Sequence, residues 1–144
     1  TLSRGLGDVY KRQTPDFVAD TAKSGGSSSA KYITRAISLA DEATSIDVRI
    51  SADVPSTSEV EAYFRVSNAD DARDLKGLVW TPFNTDGSPD KAVTPTDDGT
   101  FKEHQYSVTS LQAFTSFQLK LVLKGTVSSY PPRIKDLRGI ALAV

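Results

Sequence analysis

Residues 117–124 read Phe-Gln-Leu-Lys-Leu-Val-Leu-Lys, and large apolar side chains occupy every second position of this stretch. A β-strand points successive side chains to opposite faces of its sheet, so a period of two gives the strand one apolar face and one mainly polar face. The stretch therefore predicts a strand whose apolar face packs in a hydrophobic core. The residues expected on that face are Phe117, Leu119, Leu121 and Leu123.

The same period of two recurs along the chain after residue 30. Six further segments are predicted strands: 31–40, 46–51, 60–66, 78–83, 101–108 and 134–144. Within the first of them we expect Ile33, Ile37 and Leu39 to share one side, and residues 70–78 are expected to hold at most one helical turn. Because no interval holds a helix that could connect parallel strands, the strands predict an all-β fold. We expect two antiparallel sheets packed as a β-sandwich, with jelly-roll or related Greek-key topology.

Composition limits the classes of function. The 144 residues are 38% hydrophobic and carry 17 basic and 18 acidic side chains, which gives a net charge of -1 and suits a single domain. This balance provides no field that would gather nucleic acid or an anionic membrane. There is no cysteine, which excludes disulfides and thiolate zinc sites. No apolar run approaches the roughly 20 residues that a membrane-spanning helix needs, so we expect a soluble protein.

The N-terminal thirty residues differ in character from the rest. Gly5–Gln13 resembles the peptide produced when a sequencing adapter is translated in a metagenomic assembly, so residues 1–13 are expected to be artefactual or disordered and the chain to be a fragment. Residues 14–30 contain a Ser-Gly-Gly-Ser-Ser-Ser run, which is typical of a flexible linker. The β-sandwich domain is expected to cover residues 31–144.

The last predicted strand is preceded by two prolines and carries three basic residues. Pro131 and Pro132 stop the preceding hairpin, and the apolar parity changes at Asp136-Leu137, which predicts a β-bulge. The basic residues are candidate contacts to an acidic partner, because arginine forms bidentate pairs with carboxylates. The alternative is a solvated strand face with ion pairs to Asp136 or to a neighbouring strand. These residues are Arg133, Lys135 and Arg138.

Two motifs bracket the β domain, Lys-Tyr-Ile-Thr-Arg at 31–35 and Pro-Arg-Ile-Lys-Asp-Leu-Arg at 132–138. Together with Val48–Pro55, Tyr63–Val66, Trp80 and Phe114–Lys120 between them, they resemble a β-sandwich module of virion structural proteins from tailed phages of the myovirus or cyanophage type. The resemblance implies a non-enzymatic tail or baseplate component of the phage particle. It also implies binding to other virion proteins or to further copies of the same chain, with no catalytic residue and no cofactor.

Catalytic and metal-binding sites have weak support in the sequence. His104 is the only histidine, and no Gly-x-Ser-x-Gly motif accompanies it, so we expect a surface or cross-strand polar residue. The loop at 84–100 contains four aspartates, Asp86, Asp90, Asp97 and Asp98, and carboxylates are ligands that calcium prefers. Their spacing matches no calcium motif, so a solvated loop is the favoured interpretation.

A second class of function stays open, a carbohydrate-binding sandwich that recognises a host surface glycan. Aromatic rings stack on sugar faces but also fill cores. Tyr63 lies on the polar parity of its strand and is the candidate expected to be more exposed, whereas Trp80 is expected more often in a core than on a binding platform. Phe83 is the third candidate ring.

Overall fold

The computed structural model describes residues 19–24, 26, 28, 30–68, 75–95, 97–125 and 131–143. Residues 1–18 and 70–74 lie outside these ranges, and so does the whole stretch predicted as artefactual. The described chain forms two single-turn 3-10 helices, Leu75–Gly77 and Phe83–Thr85. Its strands are β1 (Lys31–Ile33), β2 (Ile37–Ala43), β3 (Ser45–Asp53), β4 (Ser58–Ser67), β5 (Thr81–Pro82), β6 (Lys102–Val108), β7 (Phe114–Gly125) and β8 (Arg133–Leu142).

The strands form two antiparallel sheets. In sheet A the order is β1-β7-β4-β5, and β2 also pairs with β7, so β1 and β2 act as one broken edge strand. In sheet B the order is β6-β3-β8. The sheets pack face to face around a shared core, which confirms the predicted all-β sandwich. No helix in the described ranges is long and apolar enough to cross a membrane.

Most connections between consecutive strands cross from one sheet to the other, as in a jelly roll. The chain passes from one sheet to the other between β2 and β3, β3 and β4, β5 and β6, β6 and β7, and β7 and β8. A jelly roll has eight strands, four in each of its two sheets. In this comparison we count β1 and β2 of the present chain as one strand. Sheet A fills its four positions, whereas the described residues fill three in sheet B. The unfilled position lies at the edge beside β8.

The core follows the alternation of the central strands. Phe117, Leu119 and Leu121 of β7 are each 2% exposed, which confirms the predicted core position of Phe117. On β3, four alternating apolar residues are each 1% exposed and face β7 and β4 across the sandwich. They are Ile46, Val48, Ile50 and Ala52.

The predicted strand at 31–40 is interrupted at residues 34–36. The Thr34 hydroxyl accepts a hydrogen bond from the Leu119 N–H (3.0 Å), and the Thr34 N–H donates to the Leu119 carbonyl (2.9 Å). The break changes the parity, because Ile33 lies opposite Lys120 on the outer face of sheet A and Ile37 lies opposite Phe117 on the inner face. The expectation that Ile33 shares a side with Ile37 and Leu39 was therefore wrong.

The predicted strand at 78–83 is reduced to β5, two residues long. The Trp80 N–H donates to the Thr21 carbonyl (2.7 Å) instead of joining a sheet ladder. Phe83 begins a 3-10 turn in which Asn84 has a φ of 52°. The backbone thus leaves the sheet on both sides of β5, and Phe83 becomes a fully buried core residue rather than an exposed ring.

Candidate functional site

Strand β8 is a long sheet edge. It pairs with β3 from Arg133 to Leu142, and no described strand pairs with its other side. The opposite edge of sheet B is partly occupied, because the Asp90 N–H donates to the Gln105 carbonyl (2.8 Å) and the Asp90 carboxylate accepts from the Ser107 N–H (3.0 Å). An uncovered edge presents backbone donors and acceptors to which another strand can pair. We name residues 133–142 the β8 edge.

A bulge divides this edge into two parts. Ser51 lies opposite Asp136 and Ala52 lies opposite Ile134, so Lys135 is the additional residue. The predicted bulge is present, but at Lys135 rather than at Asp136-Leu137. Bulges and charged side chains protect sheet edges from unwanted pairing. Residues 139–142, which follow Arg138 in β8, contain neither a bulge nor a charged side chain.

Arg133 is used within the domain. Its guanidinium donates through two nitrogens to one oxygen of Asp53, at 2.7 and 3.2 Å, and the Asp53 side chain is fully buried. The guanidinium also lies 5.2 Å from the centre of the Phe101 ring. Arg133 therefore stabilises the start of β8 against β3, as the interpretation with internal ion pairs expected.

Lys135 and Arg138 are more available to a partner. The Lys135 ammonium lies 4.8 Å from the Phe101 ring centre. The Arg138 side chain is 68% exposed, and its pair with Glu103 is 3.8 Å long. Exposed pairs of this kind contribute little stability, so a partner carboxylate can replace Glu103 at small cost.

Two apolar residues of β8 face solvent. Ile140 is 54% exposed and Leu142 is 46% exposed. Ile140 lies opposite Asp47, on the outer face of sheet B. Asp47 and Glu103 flank Arg49 at 3.6 and 3.3 Å, so the same face also carries a mixed set of charges. Apolar side chains within a charged, exposed face are typical of the surfaces on which other proteins dock.

The predicted aromatic platforms are not exposed. Tyr63 is 6% exposed and Trp80 is 1% exposed, and with Val122 they form a small second core on the outer face of sheet A. Tyr63 does have the polar parity that the sequence indicated, but this face is covered. Residues 19–24, which we name the N-terminal strap, lie over it and receive hydrogen bonds from Trp80 and Arg65 at Thr21 and Lys23.

The strap encloses a cation. The Lys120 side chain is fully buried, and its ammonium donates to the Asp20 carbonyl and lies 3.9 Å from the Asp20 carboxylate. It lies 5.0 Å from the Tyr63 ring centre and 5.5 Å from that of Trp80. Burial lowers the pKa of Lys120 to about 8, and the nearby charges of Lys31 and Arg65 act in the same direction. Burial and a hydrogen bond to Glu61 raise the pKa of the Tyr63 hydroxyl.

His104 is buried rather than on the surface. It lies opposite Ile50 on the inner parity of β6, is 6% exposed, and its Nδ1 is 3.1 Å from the Lys102 carbonyl. Burial lowers the pKa of His104, which favours the neutral ring. With Val54, Val93 and Pro95 it borders a cavity of about 330 Å³ that opens beneath the loop at 88–95. This arrangement packs a histidine as a core residue.

The aspartates of the 84–100 loop each bind their own local partners. Asp86 accepts hydrogen bonds from Ser88, which lower the pKa of Asp86. Hydrogen bonds from Thr100 lower the pKa of Asp98 in the same way. Partial burial acts to raise the pKa of Asp90, but hydrogen bonds from Ser107 and Asn84 outweigh it and lower this pKa. Asp97 accepts from Ser56. Within the described part of the chain, no three acidic or histidine side chains form a group that could hold a metal ion.

Two comparisons with known proteins bear on this site. A scan against protein-family models finds no match, and a search of curated proteins finds no similar sequence. The candidate site is therefore assigned from geometry alone.

Sequence reasoning missed the strap and the exposed edge. The strap falls within the interval interpreted as a linker, where the Gly/Ser content gave no signal of packing. A signal for its contact was present in β4 and β7, because Tyr63 and Val122 are large or apolar side chains on a parity expected to be polar. That no described strand pairs with the outer side of β8 could not be predicted, because alternation reveals the faces of a strand but not its neighbours.

Proposed function

We propose that this chain is a non-enzymatic structural module that acts in protein–protein assembly, as a tail or baseplate component of a phage virion. The observation that carries the assembly role is the β8 edge, a ten-residue strand with one unpaired side among the described strands and with exposed Ile140 and Leu142. Addition of a strand to such an edge is a recurring mode of protein recognition.

The form of the domain suits this role. The two sheets share one continuous apolar core, and the ladder between β4 and β7 extends over ten residue pairs. A sandwich of this kind holds its edges and loops in fixed positions, so a partner that docks on the β8 edge gains a rigid support. Net charge near zero also favours contacts between like copies or neighbours over repulsion.

The assignment to a phage particle is supported by the sequence resemblance. The motif at 132–138, which resembles the closing motif of phage virion modules, coincides with the bulge and the basic residues of the β8 edge. One of the motifs that carry the resemblance thus lies in the strand on which we base the proposed assembly role.

The glycan-binding alternative receives less support. It requires aromatic faces that a sugar can reach, and Tyr63, Trp80 and Phe83 are all buried. A glycan would have to displace the N-terminal strap to stack on the first two.

The virion role is tested by quantitative mass spectrometry of particles purified by density gradient from a lysate of the phage that encodes this sequence. We expect peptides from residues 31–143 to sediment with intact particles at a fixed ratio to the tail proteins. Recovery of the chain only in the soluble fraction of the lysate would refute the role.

A further inference from the structure

On one side of the sandwich, no described strand covers the inner face of sheet A. Tyr32 of β1 lies opposite Leu121 of β7, and directly opposed residues of an antiparallel pair point to the same face. Leu121 is 2% exposed and belongs to the core, whereas Tyr32 is 54% exposed. Tyr32 therefore extends the core face of sheet A toward solvent.

The uncovered region lies beside β8. A Cβ added to Gly139 would come within 3.0 Å of Leu119, which shows that β8 packs directly against β7. In sheet A, β1 lies one strand beyond β7. One further strand next to β8 would consequently lie beneath β1, in the position that completes the four-stranded sheet B of a jelly roll.

The shape of this position favours a single extended segment over another sandwich. The β8 strand of a second copy would arrive already covered by its own β7, and that β7 would take the place that β1 occupies in the first copy. A segment that is not part of a sheet meets no such obstacle. It gains backbone hydrogen bonds from β8 on one side and apolar contact with Tyr32 on its inner face.

The charges of β8 indicate the composition of this segment. The strand carries Arg133, Lys135 and Arg138 against one acidic residue, Asp136. Arg133 is paired with the buried Asp53, whereas Arg138 is 68% exposed and its pair with Glu103 is 3.8 Å long, so Arg138 and the exposed Lys135 can turn to a partner. A complementary strand would carry acidic side chains on its outer face and apolar side chains on its inner face.

We propose that the β8 edge captures an extended, alternating acidic and apolar segment of a partner protein, which adds antiparallel to β8 as the fourth strand of sheet B. This proposal rests on the assembly role proposed above and names the chemistry of the partner. The segment covers Tyr32 with its apolar side chains and pairs its carboxylates with Lys135 and Arg138.

The probe is a ten-residue synthetic peptide of alternating glutamate and valine, matched in length to β8. Binding to the full chain is followed by fluorescence anisotropy and by hydrogen–deuterium exchange of residues 133–142. We expect saturable binding with slowed exchange in β8. Replacing every glutamate by lysine, or N-methylating alternate peptide nitrogens, is expected to weaken binding roughly tenfold or more, because the first change removes charge pairing and the second removes backbone donors.

Two protein variants locate the contact. Arg138→Glu is expected to weaken binding of the Glu-Val peptide, whereas Lys91→Glu, an equal charge change on an exposed residue of the 84–100 loop, is expected to leave it unchanged. Three outcomes would each overturn the proposal. They are the absence of binding at millimolar peptide, equal binding of the N-methylated peptide, and self-association that protects β8 from exchange without peptide. Recovery of the chain in virions together with any of these results would leave the assembly role in place and remove only the strand-capture proposal.

Discussion

Lys120 occupies a position that alternation marks as polar, yet its side chain is fully buried beneath the N-terminal strap. Burial of a cation is costly, and here the aromatic rings of Tyr63 and Trp80 and the Asp20 carbonyl offset part of that cost. The sequence could predict which face of β7 bears Lys120. It could not predict that a segment about a hundred residues earlier covers that face.

The lowered pKa of Lys120 predicts a pH dependence of stability. Its folded pKa of about 8 lies below the ordinary value of 10.5, so the unfolded chain binds more protons between these values and the free energy of unfolding rises with pH. From pH 8 to pH 10 we expect Lys120 to contribute a gain of about 2 kcal/mol, which the raised pKa of Tyr63 begins to oppose only as the pH reaches the ordinary tyrosine value of 10.0. Urea unfolding at pH 8 and at pH 10 measures this difference in the free energy of unfolding.

The control is Lys120→Met, which replaces the cation by an apolar chain of similar length. The variant is expected to lose the rise between pH 8 and pH 10 while remaining folded at pH 7, because exchange of a buried charge for a well-packed apolar group is often neutral or stabilising. An equal rise in both proteins would show that Lys120 is not its source.

Arg133 is predicted to be a structural residue. Arg133→Ala leaves the buried Asp53 carboxylate without its guanidinium partner, so we expect a loss of about 1–3 kcal/mol in the free energy of unfolding. Arg138→Ala, at an exposed residue in the middle of the same strand, is expected to change it by less than about 0.5 kcal/mol. Equal effects of the two substitutions in chemical denaturation would contradict this difference.

Phe117 tests the core at single-residue resolution. Phe117→Ala removes a ring that is 2% exposed and packs near Phe114, so we expect a loss of about 3–5 kcal/mol. Thr109→Ala, at an exposed loop residue, serves as the control. A thermal melt in which Phe117→Ala lowers the Tm by less than about 2 °C would contradict the core assignment.

At the scale of elements, alternation predicted the strands that lie centrally in each sheet and failed where a strand is interrupted. β3, β4 and β7 keep a strict period of two because each pairs on both sides, so any slip would expose a whole apolar face. Among the described strands, β1 and β2 pair with β7 alone, and the Thr34 hydroxyl accepts a hydrogen bond from the Leu119 N–H where the two strands are interrupted. The conformation of the segment before β5 depends on its contacts with the N-terminal strap, and a local sequence pattern gives no information on such distant contacts.

The strap is predicted to shield the single tryptophan. Trp80 is 1% exposed, and the Arg65 guanidinium lies over its ring at 4.1 Å while donating to the carbonyls of Lys23 and Leu78. We expect blue-shifted Trp80 emission that resists acrylamide. Arg65→Ala should shift the emission to the red and raise quenching, whereas Arg49→Ala on sheet B should change neither. Wild-type emission at the wavelength of free tryptophan would contradict the second core.

At the scale of the whole molecule, the two sheets are unequal, and this inequality produces the candidate site. Sheet A fills four strand positions and sheet B fills three with the described residues, so the core face near Tyr32 and the backbone of β8 are exposed together. The number of sheets and their antiparallel pairing followed from the sequence. The unfilled fourth position of sheet B could not be predicted from the sequence, because it depends on which strands become neighbours after folding.

Hydrogen–deuterium exchange of residues 133–142, measured in the isolated chain and in purified virions, tests docking of a partner on the β8 edge most directly. We expect faster exchange in β8 than in β3 for the isolated chain, and a marked slowing of β8 in the particle as a partner strand occupies the side with which no described strand pairs. Identical exchange of β8 in both states would contradict it.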